Sequence, residues 1–197
     1  MATPTKAELR TAILAARRSL DHQTHAEESE ALCGHLAGLV AGVDTVCAYA
    51  PIRFEPGSIT LLDKLIRLGV RVLLPVARSD ADGAPQPLRW GDYRPGELVA
   101  ARLGLREPQE PWLPAESLAD AAVVLVPALA VDRSGVRLGR GAGYYDRSLP
   151  FADPAARLVA VVRDDELLDR LPAEPHDVLM TDALTPRAGV SALGHTD

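Results

Sequence analysis

A three-layer α/β fold, with an open, mostly parallel sheet between helices on both faces, is predicted by three features of the sequence. The run 45–49, the amphipathic stretch 58–68 and the run 70–74 read as strand, helix and strand, a unit that makes its two strands parallel neighbours. The runs 121–126 and 158–162 are apolar throughout and rich in β-branched residues, as strands buried on both faces are. Apolar residues at helical spacing before position 44 supply covering layers.

Element by element, Thr5 with Glu8 three residues on forms a capping-box pattern. Leu9, Ile13, Ala16 and Leu20 then predict one helical face, and Leu32, Leu36, Leu39 and Val43 a second. Residues 50–57 form a loop with two prolines. Ser58 is positioned to cap a third helix whose Ile59, Leu62, Leu65 and Ile66 face inward before it stops at Gly69. Between 77 and 114 glycine and proline are dense. Short stretches at 88–90 and 97–100 suit edge strands or an inserted hairpin there, and Trp90, Tyr93 and Trp112 argue for order. One more short strand is expected after Asp177.

A chain of 197 residues predicts one domain over 1–197, and 47% hydrophobic residues suffice to bury its core. The charge balance, 21 − 27 = −6, argues against nonspecific nucleic-acid binding and leaves room for a local basic pocket. Cys33 and Cys47 are too few for a disulfide framework or a thiolate metal site, which fits a reducing cytoplasm. The first residues lack the apolar core of a signal peptide, and the longest apolar run, 121–131, contains Pro127 and is too short to span a bilayer. A monomer is the default expectation.

The most informative segment is Arg137-Leu138-Gly139-Arg140-Gly141-Ala142-Gly143-Tyr144-Tyr145-Asp146-Arg147. Alternating glycines let backbone amides approach a ligand, a helix beginning near Tyr144 adds its positive end, and Arg137 and Arg140 add guanidinium forks suited to phosphate. No Gly-Lys-Ser/Thr follows, so it is not a Walker loop, and its glycine spacing is not that of a dinucleotide fingerprint. By spacing alone the segment is either an anion cradle or a structural turn with solvated arginines.

This segment resembles the Arg-Leu-Gly-x-Gly-x-Gly-Tyr-Tyr-Asp signature of the 5-formyltetrahydrofolate cyclo-ligase family. Further likeness lies in Lys6-Ala-Glu-Leu9-Arg10, in Glu55 after the first strand and in Gly104-Leu-Arg-Glu107-Pro108. It continues in Val126-Pro127 with Val131-Asp132 and Gly135, and in Leu171-Pro-Ala-Glu-Pro-His176-Asp177, so that it runs from about residue 6 to 186. Leu103 stands where members often carry an aromatic residue, and Val131 departs in the same way.

The resemblance implies an α/β sheet of the acyl-CoA-transferase-like type and conversion of 5-formyltetrahydrofolate to 5,10-methenyltetrahydrofolate with MgATP. It implies that Lys6, Arg10 and residues 137–146, including Leu138 and Ala142, hold ATP, with Arg140 the catalytic side chain at the transferred phosphoryl. Asp146 and Asp177 would bind Mg²⁺. Ala50, Glu55, Gly141 and Tyr144 would border the folate, Glu55 accepting pterin N–H groups. Unaided, Lys6 and Arg10 read as a solvated helix face, Asp146 as a helix N-terminal acid, Asp177 as a surface partner of His176 and Glu55 as a solvated loop residue. Two other classes remain open: a sugar-phosphate isomerase or acyl-CoA transferase without ATP, and a folate- or nucleotide-binding protein without turnover. The Lys6/Arg10 and Asp146/Asp177 pairs favour a triphosphate with a metal.

Overall fold

The computed structural model describes residues 4–175 and 177–194. Helix α1 (Lys6–Arg18) starts at the expected capping box: the Glu8 N–H donates to Thr5 Oγ1 at 3.3 Å and the Thr5 N–H to Glu8 Oε2 at 2.8 Å. Helix α2 (His22–Leu39) is capped by Asp21, which accepts from the Thr24 N–H at 2.8 Å. Strand β1 (Thr45–Cys47), helix α3 (Ile59–Arg67) and strand β2 (Arg71–Val76) form the predicted unit, with β1 and β2 parallel. Then come β3 (Arg89–Asp92), the two-residue strands β4 (Val99–Ala100) and β5 (Arg106–Glu107), β6 (Val123–Pro127), β7 (Ala130–Asp132) and β8 (Arg137–Leu138). Helix α4 (Tyr144–Ser148), β9 (Arg157–Val161), β10 (Leu167–Leu168), β11 (Asp182–Thr185) and β12 (Gly189–Ala192) complete the described chain.

The main sheet has the order β12-β11-β9-β6-β1-β2-β3. Its five inner strands run parallel, and the two edges, β3 and β12, are antiparallel. Successive side chains of a strand point to opposite faces, so the unbroken apolar runs fill two cores. Val46, Val72, Leu125, Val159 and Leu184 pack under α2 and α3. Cys47, Leu73, Val124, Val126, Ala160 and Ala183 pack on the other face, beneath Leu118, Leu149, Tyr144 and Tyr145 from short helical turns. A small sheet, β10-β7-β8, forms a third cluster against Leu9, Ile13 and Leu14 of α1.

Chain order reverses between β1 and β6: β1 leads to β2 on one side, whereas β6 lies on the other and continues to β9. An open α/β sheet leaves a crevice at the carboxyl ends of its strands at such a switch point. Several expectations need correction. Helix α2 ends at Leu39, and Val43 packs against the core from the turn beyond it. In α3, Leu61 rather than Ile59 turns inward. In α1, Arg17 rather than Ala16 is buried, because a carboxylate and a carbonyl wait for its guanidinium. The strand expected after Asp177 is a hairpin, β11–β12. No helix among the described residues is long and apolar enough to cross a membrane.

Candidate active site

A cavity of about 450 Å³ opens at the switch point. Its walls are the segments following β1 (Tyr49, Ala50), β2 (Ala77) and β6 (Ala128), together with Glu107 and the glycine turn after β8. Of the residues singled out in the sequence, Ala50, Glu55, Arg137, Gly139, Arg140, Gly141, Ala142, Gly143, Tyr144, Tyr145 and Asp146 all line it. Leu138 does not. Its side chain is buried in the third cluster and its carbonyl accepts from the Leu129 N–H, so it anchors the turn from behind.

The turn bends where glycine is required. Gly141 and Gly143 have φ of 92° and 77°, and Gly143 is the N-cap of α4. A Cβ on Gly139 would stand 2.8 Å from Arg137 Nη1, and one on Gly143 2.6 Å from Arg147 Nη1; the missing side chains leave room for these guanidinium groups. Arg137 is nearly enclosed. It donates to Asp146 Oδ1 at 2.6 Å, lies 5.7 Å from the Tyr145 ring centre and leaves its buried Nε without a partner among the described residues. Burial draws its pKa down against the opposing charges of Asp146 and Asp177.

Lys6, Arg10 and Asp177 are not among the residues of the cavity wall. One helical turn of α1 separates the two cations. Arg10 Nε donates to the Gly139 carbonyl at 2.9 Å, and Lys6 Nζ reaches Glu174 at 3.0 Å and Asp177 at 3.2 Å. Desolvation pulls the Lys6 pKa down, yet the hydrogen bonds and charges of Glu174 and Asp177 outweigh it and hold it raised. His176, the partner considered for Asp177, and Leu103's side chain lie outside the described residues.

Across the cavity, Glu55 is only 8% exposed. Its carboxylate accepts from the Ile52 N–H at 3.1 Å and from Arg140 Nε at 3.1 Å. His25 Nε2 meets its carbonyl at 3.0 Å, and the Tyr49 hydroxyl donates to the neighbouring Pro56 carbonyl at 2.7 Å. Burial raises the Glu55 pKa, and the Ile52 N–H, Arg140 and Arg17 oppose it only in part. Tyr144 and Tyr145 both line the cavity and both pack on the sheet below. Tyr144 Oη lies 3.1 Å from Ser79 Oγ, whereas the buried Tyr145 hydroxyl has no partner among the described residues.

Sequence reasoning missed two supports. Arg17 on α1 holds Glu166 through Nε and Nη2 at 2.6 and 2.7 Å and the Ala128 carbonyl of the cavity wall at 2.7 Å. Its position on the same helical stripe as Lys6 and Arg10 was the available signal. Glu107 accepts from the Ala77 N–H and from Arg78, each at 2.8 Å, and Arg78 lies 4.1 Å over the Trp112 ring. The Glu-Pro stretch marked Glu107, but its partner across thirty residues was invisible.

Comparisons with known proteins show the family. The model of the 5-formyltetrahydrofolate cyclo-ligase family matches residues 2–186. This chain belongs to that family. It is 63% identical over 193 residues to a 5-formyltetrahydrofolate cyclo-ligase of Mycolicibacterium smegmatis, covering 98% of this chain and 100% of the relative. It is 33% identical to the Escherichia coli strain K12 protein of the same name, over 72% and 78% of the two chains. The solved 5,10-methenyltetrahydrofolate synthetase of Aquifex aeolicus superposes with a TM-score of 0.79 at 26% identity, covering 98% of this chain and 94% of that one. A Mycoplasma pneumoniae synthetase, at 20% identity and a TM-score of 0.68, shares the fold. Membership in this enzyme family sets aside the isomerase, transferase and pure binding-protein alternatives.

Among the described residues, no cluster of three or more His, Cys, Asp or Glu could cage a metal. The donor set nevertheless fits Mg²⁺, which takes one or two carboxylates and completes its shell with phosphate oxygens and water. Asp146 is 42% exposed at its side chain, with Oδ1 on Arg137 and Oδ2 without a partner among the described residues. Among the described residues, Asp177 uses Oδ2 for Lys6 and the Glu174 N–H.

Proposed function

We propose that the chain couples ATP cleavage to ring closure of 5-formyltetrahydrofolate, giving 5,10-methenyltetrahydrofolate, ADP and phosphate. The observation that carries this reading is the facing of Arg140, on the glycine turn, with the buried carboxylate of Glu55 across one cavity. A phosphate cradle and an acceptor for ring N–H groups are thereby within one side-chain contact of each other.

The chemical difficulty is that a formamide carbonyl is a poor electrophile and its oxygen a poor leaving group. Transfer of the γ-phosphoryl group to that oxygen breaks the bond to ADP and forms a phosphate ester. N10 attacks the activated carbon and loses its proton, and the C–O bond then breaks with the oxygen departing in phosphate. The leaving group's conjugate acid thus changes from water to a far stronger acid, phosphate with a pKa of about 6–7. Such a site must align reactants and neutralise charge, and it needs no covalent intermediate with the protein.

Lys6, Arg10, Arg137 and the amides of 139–143 hold the phosphates, and Arg140 meets the transferred group. Glu55 accepts from adjacent pterin N–H groups, fixing the formyl carbon, with Ala50, Gly141 and Tyr144 as walls. Mg²⁺ held by Asp146 and Asp177 would supply charge neutralisation on the phosphate oxygens.

The test is to mix the protein with 5-formyltetrahydrofolate, ATP and Mg²⁺ and follow methenyl formation by absorbance. Product is expected only with ATP present. Arg140→Ala is expected to slow turnover at least about 100-fold, far more than any drop in folded fraction, read by circular dichroism, from leaving the buried Glu55 without its ion-pair partner. Product without ATP, or wild-type turnover in the variant, would refute the reading.

A further inference from the structure

Three ion pairs join residues that the proposed function assigns to ligands. Arg137 holds Asp146 at 2.6 Å, Lys6 holds Asp177 at 3.2 Å and Arg140 holds Glu55 at 3.1 Å. Under the proposed function the first two pairs join groups that serve one ligand. With MgATP bound, Arg137 and Lys6 would meet phosphate oxygens in place of these carboxylates, and Asp146 and Asp177 would be left to hold the metal. The third pair is different. Arg140 serves the nucleotide, and Glu55 serves the folate.

Resting on that function, we infer that the Arg140–Glu55 ion pair is a latch across the cavity that makes nucleotide and folate bind with positive cooperativity. Nucleotide bound alone draws Arg140 away and leaves a carboxylate whose side chain is 10% exposed with the Ile52 N–H as its remaining hydrogen-bond donor among the described residues. That is an unfavourable state for a buried charge. Folate bound alone takes Glu55 and also breaks the pair. The second ligand to arrive, in either order, finds the pair already broken and binds more tightly for it. Linkage requires the two effects to be equal in size.

The two sides of the latch differ in freedom. Glu55 is pinned, through its own carboxylate by Ile52 and through its backbone by His25. Arg140 stands between Gly139 and Gly141, its side chain is 43% exposed, and Glu55 is its one partner among the described residues. Arg140 is therefore the arm that moves.

The experiment is calorimetric titration of the whole protein with a non-hydrolysable ATP analogue and Mg²⁺, with and without saturating 5-formyltetrahydrofolate. The analogue's Kd is expected to fall about tenfold when folate is present, and folate's Kd to fall by the same factor when the analogue is present. In Glu55→Gln the analogue alone is expected to bind about tenfold more tightly than to wild type, and the mutual effect to shrink to about one. A residue serving only to shape the pocket would weaken the analogue or leave it unchanged. Arg140→Gln, altered at a half-exposed side chain and checked for folding by circular dichroism, is the second variant: folate alone is expected to bind it more tightly than wild type. Absence of mutual enhancement in wild type, or no gain in either variant, overturns the latch. If the wild-type protein does not bind the analogue at all, the proposed function itself falls, and the latch with it.

Discussion

Burial and charge pull the Glu55 carboxyl in opposite directions, and burial prevails, so its folded pKa lies above the ordinary 4.5. The sign of the stability effect is therefore the reverse of that for a salt-bridged surface acid. The folded state favours the protonated group. Its contribution is fully present below pH 4.5 and is lost as pH rises through the raised folded value. Glu55→Gln, neutral at every pH, is expected to melt above wild type at neutral pH, with the difference closing as pH falls toward 4.5. Thermal unfolding followed by circular dichroism across that range checks this; a variant that melts below wild type at neutral pH would show the ion pair to outweigh the burial. Only part of this residue was legible in the sequence. Its place after the first strand, with the family resemblance, marked Glu55, but its burial depends on His25, Tyr49 and Arg140, which the fold brings from other elements.

Helix α1 acts as a single clamp. Lys6 reaches Asp177, Arg10 the Gly139 carbonyl and Arg17 both Glu166 and the Ala128 carbonyl, all from one stripe. The capping box and the apolar residues Leu9 and Ile13 were readable, because local hydrogen bonding and helical periodicity are written in neighbouring residues. Arg17 was not, since an arginine enters a core only when a distant carboxylate is there to meet it. Arg17→Met is expected to destabilise the protein by about 3–5 kcal/mol, because it leaves Glu166, 4% exposed, as an unpaired buried charge. Urea unfolding measures it, and Arg17→Met with Glu166→Gln is expected to recover much of the loss. An equal loss in both variants would locate the cost in packing rather than charge.

At the scale of the whole molecule, the parallel strands were legible because burial on both faces demands unbroken apolar runs. In region 77–114 the edge strand β3 and the hairpin strand β4 were legible as short stretches, but β5 and the pairing partners were not, because these are set by tertiary pairing rather than pattern. The site gathers α1, the loop after β1, the turn after β8 and the segment around Asp177, so a ligand bound there stabilises the fold as a unit. A non-hydrolysable ATP analogue at 100 times its Kd is expected to add about 2.7 kcal/mol. With Asp146 as a metal ligand, the part of this gain that requires Mg²⁺ is expected to be largely lost in Asp146→Asn. Thermal-shift titrations with and without Mg²⁺ decide it; a magnesium-dependent gain of wild-type size in the variant would remove Asp146 from the metal site.

The contact between Lys6 and Asp177 joins residues 171 positions apart. Translation delivers Lys6 long before Asp177. While Asp177 is still inside the ribosome, the emerging polypeptide already displays its glycine turn, but Lys6 has no carboxylate there to hold it against that turn. The clasp between Lys6 and Asp177 therefore closes only after synthesis has passed residue 177.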